Sequence, residues 1–130
     1  MGRRTVADEF PVRTFPSREA WRKWLDEHHT DPGVWVKIAK KGSGIKSVGY
    51  GEAVEVALCY GWIDGLMRSV DDRYYKQRFT PRRARSNWSK INRVKALNLI
   101  ASGEMQPPGL AEIERAKADG RWDAAQGPAG

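Results

Sequence analysis

The stretch WIDGLMRSVDDRYYKQRFTP, residues 62–81, decides the fold of this chain. Aromatic and β-branched residues fill its two halves, Trp62 to Val70 and Arg73 to Thr80, and the pair Asp71-Asp72 between them is typical of a turn. Two such runs joined by a short polar turn predict an antiparallel β-hairpin. Pro81 should close the second strand, because proline has no N–H for a further ladder hydrogen bond.

Upstream of the hairpin the sequence predicts a helix, a strand and a second helix. Ser17 can cap a helix that continues to about His28. Apolar residues alternate over residues 34–39 after a Pro-Gly turn, which is typical of a half-buried strand. The second helix should begin after Gly49 and end at Gly61, and it is apolar around most of its circumference.

Downstream of the hairpin the sequence predicts two more helices. One should begin among Ser86 to Ser89 and end near Ser102, and the other should lie between Pro108 and Gly120. The residues expected to face the core are Ile91, Val94, Leu97, Ile100 and Ala101 in the first, and Leu110, Ile113 and Ala116 in the second.

These elements predict an α+β fold in which a small antiparallel sheet, the hairpin plus one or more strands, packs against about four helices. A length of 130 residues fits a single domain. We expect an irregular N-terminal arm over residues 1–14, one domain over 15–122 and a flexible tail over 123–130.

The cysteine and histidine content argues against a metal centre and favours a reducing compartment. Cys59 is the only cysteine, so neither a disulfide within the chain nor a thiolate zinc cluster can form. His28 and His29 are adjacent on a helix and diverge by about 100°. No secretory leader and no run of roughly 20 apolar residues is found. We expect a soluble cytoplasmic protein without a cofactor.

The positive charge is concentrated in one segment. The net charge is +7, and residues 71–95 contain nine Lys or Arg against two acids, so the rest of the chain is neutral overall. Such a segment either attracts an anion or is a solvated face that aids solubility.

The leading hypothesis is a non-catalytic module that binds an anionic small molecule or a polyanion, nucleic acid included, through the segment between hairpin and third helix. Arginine, threonine and serine side chains next to a helix N-terminus can hold an anion, and tryptophan rings can stack on a ligand. The candidate ligand-binding residues are Lys41, Trp62, Asp64, Arg78, Thr80, Arg82, Arg83, Ser86 and Trp88.

Two other functions stay open. The first is an enzyme for a small anionic substrate, with Asp64 as the acid or base, Arg78 and Arg82 stabilising charge, and Lys41 from a flexible loop. A simple ion pair of Asp64 with Arg78, expected from the hairpin pairing, is the alternative use of this carboxylate. The second is a protein-interaction module that uses exposed tryptophans such as Trp62, Trp88 and Trp122.

A set of sequence blocks forms a pattern that is specific to one family. The blocks are Phe15-Pro16-Ser17, Trp21 and Trp24, Val34-Trp35, Ala39-Lys40-Lys41, Ala53-Val54, Ala57-Leu58-Cys59-Tyr60-Gly61-Trp62-Ile63-Asp64-Gly65, Arg78-Phe79-Thr80-Pro81-Arg82, Ser86-Asn87-Trp88-Ser89-Lys90-Ile91-Asn92 and Gly120-Arg121-Trp122. Through these blocks the chain resembles the YdeI/OmpD-associated family of bacterial proteins, also labelled bacteriocin-protection, over about residues 15–123. That resemblance implies a small bacterial domain linked by name to bacteriocin or antimicrobial-peptide tolerance, without an established catalytic mechanism. One departure from the family pattern is Gly49 and Gly51 at the start of the second helix.

Overall fold

The computed structural model describes residues 10–125. Most of the expected arm and most of the expected tail, residues 1–9 and 126–130, lie outside the described residues. The elements in chain order are β1 (Val12–Thr14), α1 (Arg18–His28), β2 (Val34–Ala39), α2 (Tyr50–Cys59), β3 (Trp62–Ser69), β4 (Tyr74–Pro81), α3 (Lys90–Ser102) and α4 (Pro107–Ala118).

The strands form one sheet in the order β1-β2-β4-β3, and the helices pack against it. This confirms the α+β fold. Strand β4 pairs antiparallel with both β2 and β3, so the predicted hairpin and the predicted third strand are neighbours in one sheet. Alternate residues of β2 and β4 point to opposite faces, and the helices cover the face that carries Val34, Val36 and Phe79.

Strand β1 differs from the irregular arm expected over residues 1–14. Its three residues pair parallel with β2, with Val12 opposite Trp35. The N–H of Trp35 also donates to the carbonyl of Pro11 at 2.8 Å. Three residues are too few for an alternating pattern to be visible in sequence, so this strand is specified by its partner β2 rather than by its own composition.

The hairpin has an ordered turn and an irregular far end. At the turn, Asp71 Oδ1 accepts the backbone N–H groups of Arg73 and Tyr74 at 2.8 and 2.9 Å, and these bonds lower the pKa of the Asp71 carboxyl. At the far end, the register shifts between Asp64 and Met67, which marks a β-bulge in β3. The bulge determines which way the side chains near Asp64 point.

Helices α1 and α2 form the main layer over the sheet. Ser17 caps α1 as predicted, because its Oγ accepts the N–H of Ala20 at 3.1 Å. Trp21 of α1 is fully buried, lies 5.2 Å from the Phe79 ring and donates its Nε1–H to the carbonyl of Ala53 in α2 at 3.0 Å. One tryptophan therefore ties both helices to the sheet.

The predicted inward faces of α3 and α4 are partly wrong. In α3 the buried residues are Ala96 and Leu99, whereas Ile91, Leu97 and Ile100 are exposed, as is Ala101. In α4, Ile113 and Ala116 are buried as expected, but Leu110 is exposed and Gly109 takes the inward position. The reason is that small residues let these helices approach α2 closely: a Cβ on Gly109 would lie 2.5 Å from the carbonyl oxygen of Cys59.

The described end of the chain packs back onto the domain. Trp122 and Ala125 are buried in the single core, and the N–H of Trp122 donates to the carbonyl of Ala116 at 3.0 Å. Residues 123–125 therefore do not belong to the flexible tail expected from residue 123.

Candidate functional site

Arg82 is the centre of the candidate site. It follows β4 directly, and its N–H extends the ladder by donating to the carbonyl of Gly61 at 2.9 Å. The side chain is only 7% exposed, its Cζ lies 4.0 Å from the centre of the Trp88 ring, and its Nη2 donates to the carbonyl of Asn87 at 2.8 Å. These contacts hold the guanidinium flat against the indole.

Several buried polar atoms around Arg82 have no hydrogen-bond partner within residues 10–125. They are Arg82 Nε and Nη1, Ser86 Oγ, Trp88 Nε1 and Arg121 Nη2. All can donate, and only the serine hydroxyl can also accept. We call these four residues the donor cluster. Leaving a buried donor unpaired costs about 1–3 kcal/mol, so a group rich in acceptors that reached these atoms would stabilise the arrangement.

Within the cluster, Arg82 carries a positive charge that is not paired directly with a carboxylate of residues 10–125. Burial lowers the pKa of Arg82 to about 10, with smaller opposing effects from Glu112 and Asp64 and a further lowering by Arg121. The guanidinium is still charged at neutral pH. Among the described residues no carboxylate forms an ion pair with Arg82, so its charge is balanced only at a distance.

The C-terminal segment builds the second wall. Arg121 donates through Nη1 to the carbonyl of Ser86 at 2.6 Å and through Nε to both carboxylate oxygens of Asp119. The hydrogen bonding from Arg121 lowers the pKa of the Asp119 carboxyl. Trp122 packs edge-on against Trp88 at 5.1 Å. An open cleft of about 490 Å³ at this wall is lined by Arg85, Asp119 and Arg121.

Arg121 is a site residue that the sequence reasoning missed. It is 35 residues beyond Ser86, and nothing local in the sequence predicts that its guanidinium contacts the Ser86 carbonyl. The available indication was the block Gly120-Arg121-Trp122: a basic residue and an aromatic one directly after a helix-ending glycine, whose φ is 85°.

Trp62, Lys41, Arg83 and Thr80, four of the predicted ligand residues, do not join the donor cluster. Trp62 is fully buried and donates its Nε1–H to the carbonyl of His29 at 2.9 Å, so no face is available for stacking a ligand. Lys41 and Arg83 are exposed, and Thr80 lies opposite Ile63 within the hairpin.

The expected Asp64–Arg78 pair is wrong. Asp64 lies opposite Phe79, so Arg78 and Thr80 point to the other face of the sheet. Its carboxylate instead accepts the Tyr50 hydroxyl at 2.6 Å. Arg78 crosses the bulge, where a Cβ on Gly65 would meet its Nε at 2.8 Å, and that buried Nε has no partner in the described part of the chain.

The sheet face away from the helices is basic. Lys37, Lys76 and Arg68 lie directly opposite one another across β2, β4 and β3, and Arg78 follows on the same face of β4. Lys76 Nζ lies 4.5 Å from the centre of the Trp35 ring. We call these four cations the basic sheet face. None of them forms an ion pair within residues 10–125.

The tryptophans expected at an exposed interface are buried. Trp62, Trp88 and Trp122 are 0%, 3% and 7% exposed. Their burial removes the observation on which the protein-interaction hypothesis rested.

Residues 10–125 contain neither a cluster of metal-binding side chains nor a membrane-spanning helix. No group of three or more His, Cys, Asp or Glu side chains in that range could hold a metal ion. No helix in the same range has the length and apolar character needed to cross a bilayer.

Comparison with known proteins gives one finding. No curated protein and no solved structure matches the chain. A family described as a domain of unknown function, DUF8412, matches residues 13–112. This range contains Arg82, Ser86, Trp88 and all of the sheet except Val12, and it ends before Arg121. The chain therefore belongs to the DUF8412 family of domains.

Proposed function

We propose that this domain is a non-catalytic binding module for a phosphate-bearing anion, which it holds on the donor cluster. The observation that carries the proposal is the buried guanidinium of Arg82, which has two unpaired donor nitrogens and no carboxylate partner among the described residues. Phosphate oxygens accept several hydrogen bonds at once and supply the missing negative charge.

A second feature supports a polyanion over a single small ion. Like charges that lie directly opposite each other on neighbouring strands are destabilising, yet Lys37, Lys76 and Arg68 form such a row across three strands. A partner with several phosphates would relieve this repulsion as well as pairing with Arg82. Nucleic acid is the partner of this class that we propose to test first.

The test is a fluorescence-anisotropy titration of a short labelled oligonucleotide, with inorganic tripolyphosphate as competitor. Arg82→Met should abolish most of the binding, because it removes the charge and the buried donors of Arg82 while keeping an unbranched apolar stem beside Trp88. Arg83→Met is the matched control: it removes the same charge from an exposed neighbour and should weaken binding by only about twofold to fivefold.

The dependence of binding on salt separates a backbone contact from other modes. If Arg82, Lys76 and Arg68 each neutralise one phosphate, the slope of log K against log salt should be about −2 to −3. Equal losses for the two arginine variants, or no binding of oligonucleotide and tripolyphosphate by the wild-type protein at low salt, would contradict the proposal.

The enzyme hypothesis receives less support. A cleft beside Asp64 is lined by Tyr50, Asp64, Gly65, Met67, Tyr75 and Gln77. Its lining does not include Lys41, Arg78 or Arg82. In this cleft, Asp64 is therefore without the three cations that were expected to act with it on an anionic substrate.

We make two broader proposals, one on location in the cell and one on kinship. We propose a cytoplasmic location, supported by a single cysteine whose thiol is buried in the core. We also propose kinship with the YdeI/OmpD-associated family and its link to bacteriocin tolerance, supported by the sequence blocks quoted above. Fractionation of the native host would test the first.

A further inference from the structure

A second cleft lies beside the β3 bulge, in a different setting from the donor cluster. It has a volume of about 320 Å³, and its lining residues are Tyr50, Asp64, Gly65, Met67, Tyr75 and Gln77. It contains one carboxylate and no lysine or arginine, although the chain carries a net charge of +7. We call it the Tyr50–Asp64 cleft.

The polar groups of this cleft are arranged to accept rather than to donate. Gln77 uses its side-chain N–H groups on the carbonyls of Gly65 and Leu66, at 2.5 and 3.3 Å, and this fixes the amide plane. The Tyr50 hydroxyl donates to one oxygen of Asp64 at 2.6 Å. The other oxygen of Asp64 forms no hydrogen bond within the described residues and is able to accept one from a ligand.

The remaining walls suit an organic cation. Two phenol rings, Tyr50 and Tyr75, and the thioether of Met67 present polarisable surfaces, and Met67 is 64% exposed. A cation over an aromatic face is attracted by the ring quadrupole, and a neighbouring carboxylate adds to that attraction. A bare divalent metal ion is a poor match, because such ions take several oxygen ligands and this cleft offers one carboxylate.

We propose that the Tyr50–Asp64 cleft binds the protonated amine of a small organic ligand, with the ammonium group on Asp64 and its carbon chain against Tyr75 and Met67. The bulge makes this possible. It turns Asp64 toward Tyr50 and away from Arg78, so a carboxylate on a basic hairpin is left without a cationic partner within residues 10–125. The cleft shares no lining residue with the donor cluster.

The experiment is an NMR titration of the ¹⁵N-labelled protein with n-butylammonium chloride at constant ionic strength. We expect saturable shifts of the Gly65, Met67 and Gln77 amides. Sodium butanoate, which has a similar chain and the opposite charge, should leave them in place. Asp64→Asn keeps the shape of the carboxylate and an acceptor for Tyr50, and it should weaken butylammonium binding about fivefold.

Controls separate this site from general charge effects and from the anion site. Asp72→Asn removes a carboxylate from the exposed hairpin turn and should not change the affinity. Arg82→Met removes a positive charge that acts on Asp64 from a distance and should not weaken butylammonium binding, so failure of the proposed function and failure of this cleft give different results. Equal affinity in wild type and Asp64→Asn, a response of the cleft amides to butanoate, or no shift of the cleft amides with butylammonium would each overturn the proposal.

Discussion

Replacing Arg82 with methionine should change the free energy of unfolding by no more than about 1 kcal/mol, although the side chain is buried. Two contacts stabilise the guanidinium. The hydrogen bond from Nη2 to the Asn87 carbonyl contributes about 2 kcal/mol, a usual value for a charged donor. Stacking on Trp88 at 4.0 Å contributes about 1–2 kcal/mol.

Burial of the charge opposes these contacts. It lowers the pKa of Arg82 to about 10, and a lowering of that size corresponds to about 3 kcal/mol. Methionine removes this penalty together with the two unpaired donors, and its thioether can still pack on the indole of Trp88. The gain and the loss therefore nearly cancel in the absence of a ligand.

Urea unfolding followed by circular dichroism measures the difference directly. Arg82→Ala should be less stable than Arg82→Met, because alanine also leaves a cavity beside Trp88. A loss of more than about 2 kcal/mol in Arg82→Met would refute the reasoning. It would mean that the guanidinium is satisfied in the free protein and that Arg82 has a structural role.

Three further predictions concern other parts of the molecule. Gly109→Ala should destabilise the protein by about 2 kcal/mol or more, because its Cβ would lie 2.5 Å from the Cys59 carbonyl oxygen. Gly51→Ala, whose Cβ would meet nothing within 4 Å, should stabilise the protein by about 0.5–1 kcal/mol. Urea unfolding should show changes of opposite sign in the free energy of unfolding for the two variants. Burial raises the pKa of the Cys59 thiol to about 11, so Ellman's reagent should label native protein far more slowly than unfolded protein, and equal rates would contradict this. Burial, followed by the hydrogen bond to Asp64, raises the pKa of Tyr50 to about 12. Its stabilising contribution should therefore be complete below about pH 10 and be lost as the pH rises through 12. In an ultraviolet titration, Tyr50→Phe should lack a late ionisation step near pH 12 that wild type shows. If the step that Tyr50→Phe lacks lies near pH 10 instead, the raised pKa of Tyr50 is contradicted.

Local sequence signals predicted the elements well because each depends on neighbouring residues. Ser17 and Ser89 cap α1 and α3 through their own hydroxyls, and Asp71 orders the hairpin turn. Each needs only two or three residues of context. Arg82, Ser86 and Trp88 could likewise be grouped from the sequence, because they lie within seven residues of one another.

The features that sequence reasoning missed depend on distant contacts. Strand β1 exists through its pairing with β2, and Arg121 reaches Ser86 across 35 residues. The direction of Asp64 depends on the bulge, because one inserted residue reverses which face a side chain occupies. The predicted inward face of α3 was wrong because apolar residues occur on all sides of this helix. Packing against α2 selects Ala96 and Leu99 as the buried residues.

The β3 bulge has one more consequence, which concerns self-association. Strand β3 is an edge of the sheet, and it carries Leu66 and Met67, which are 51% and 64% exposed. A straight edge of this kind would offer unpaired N–H and C=O groups in regular register and could recruit a strand from another copy, a route to aggregates. The bulge interrupts that register at the apolar residues, and Arg68 follows with a charge. The irregularity that shapes the Tyr50–Asp64 cleft therefore also keeps this edge from templating fibril growth.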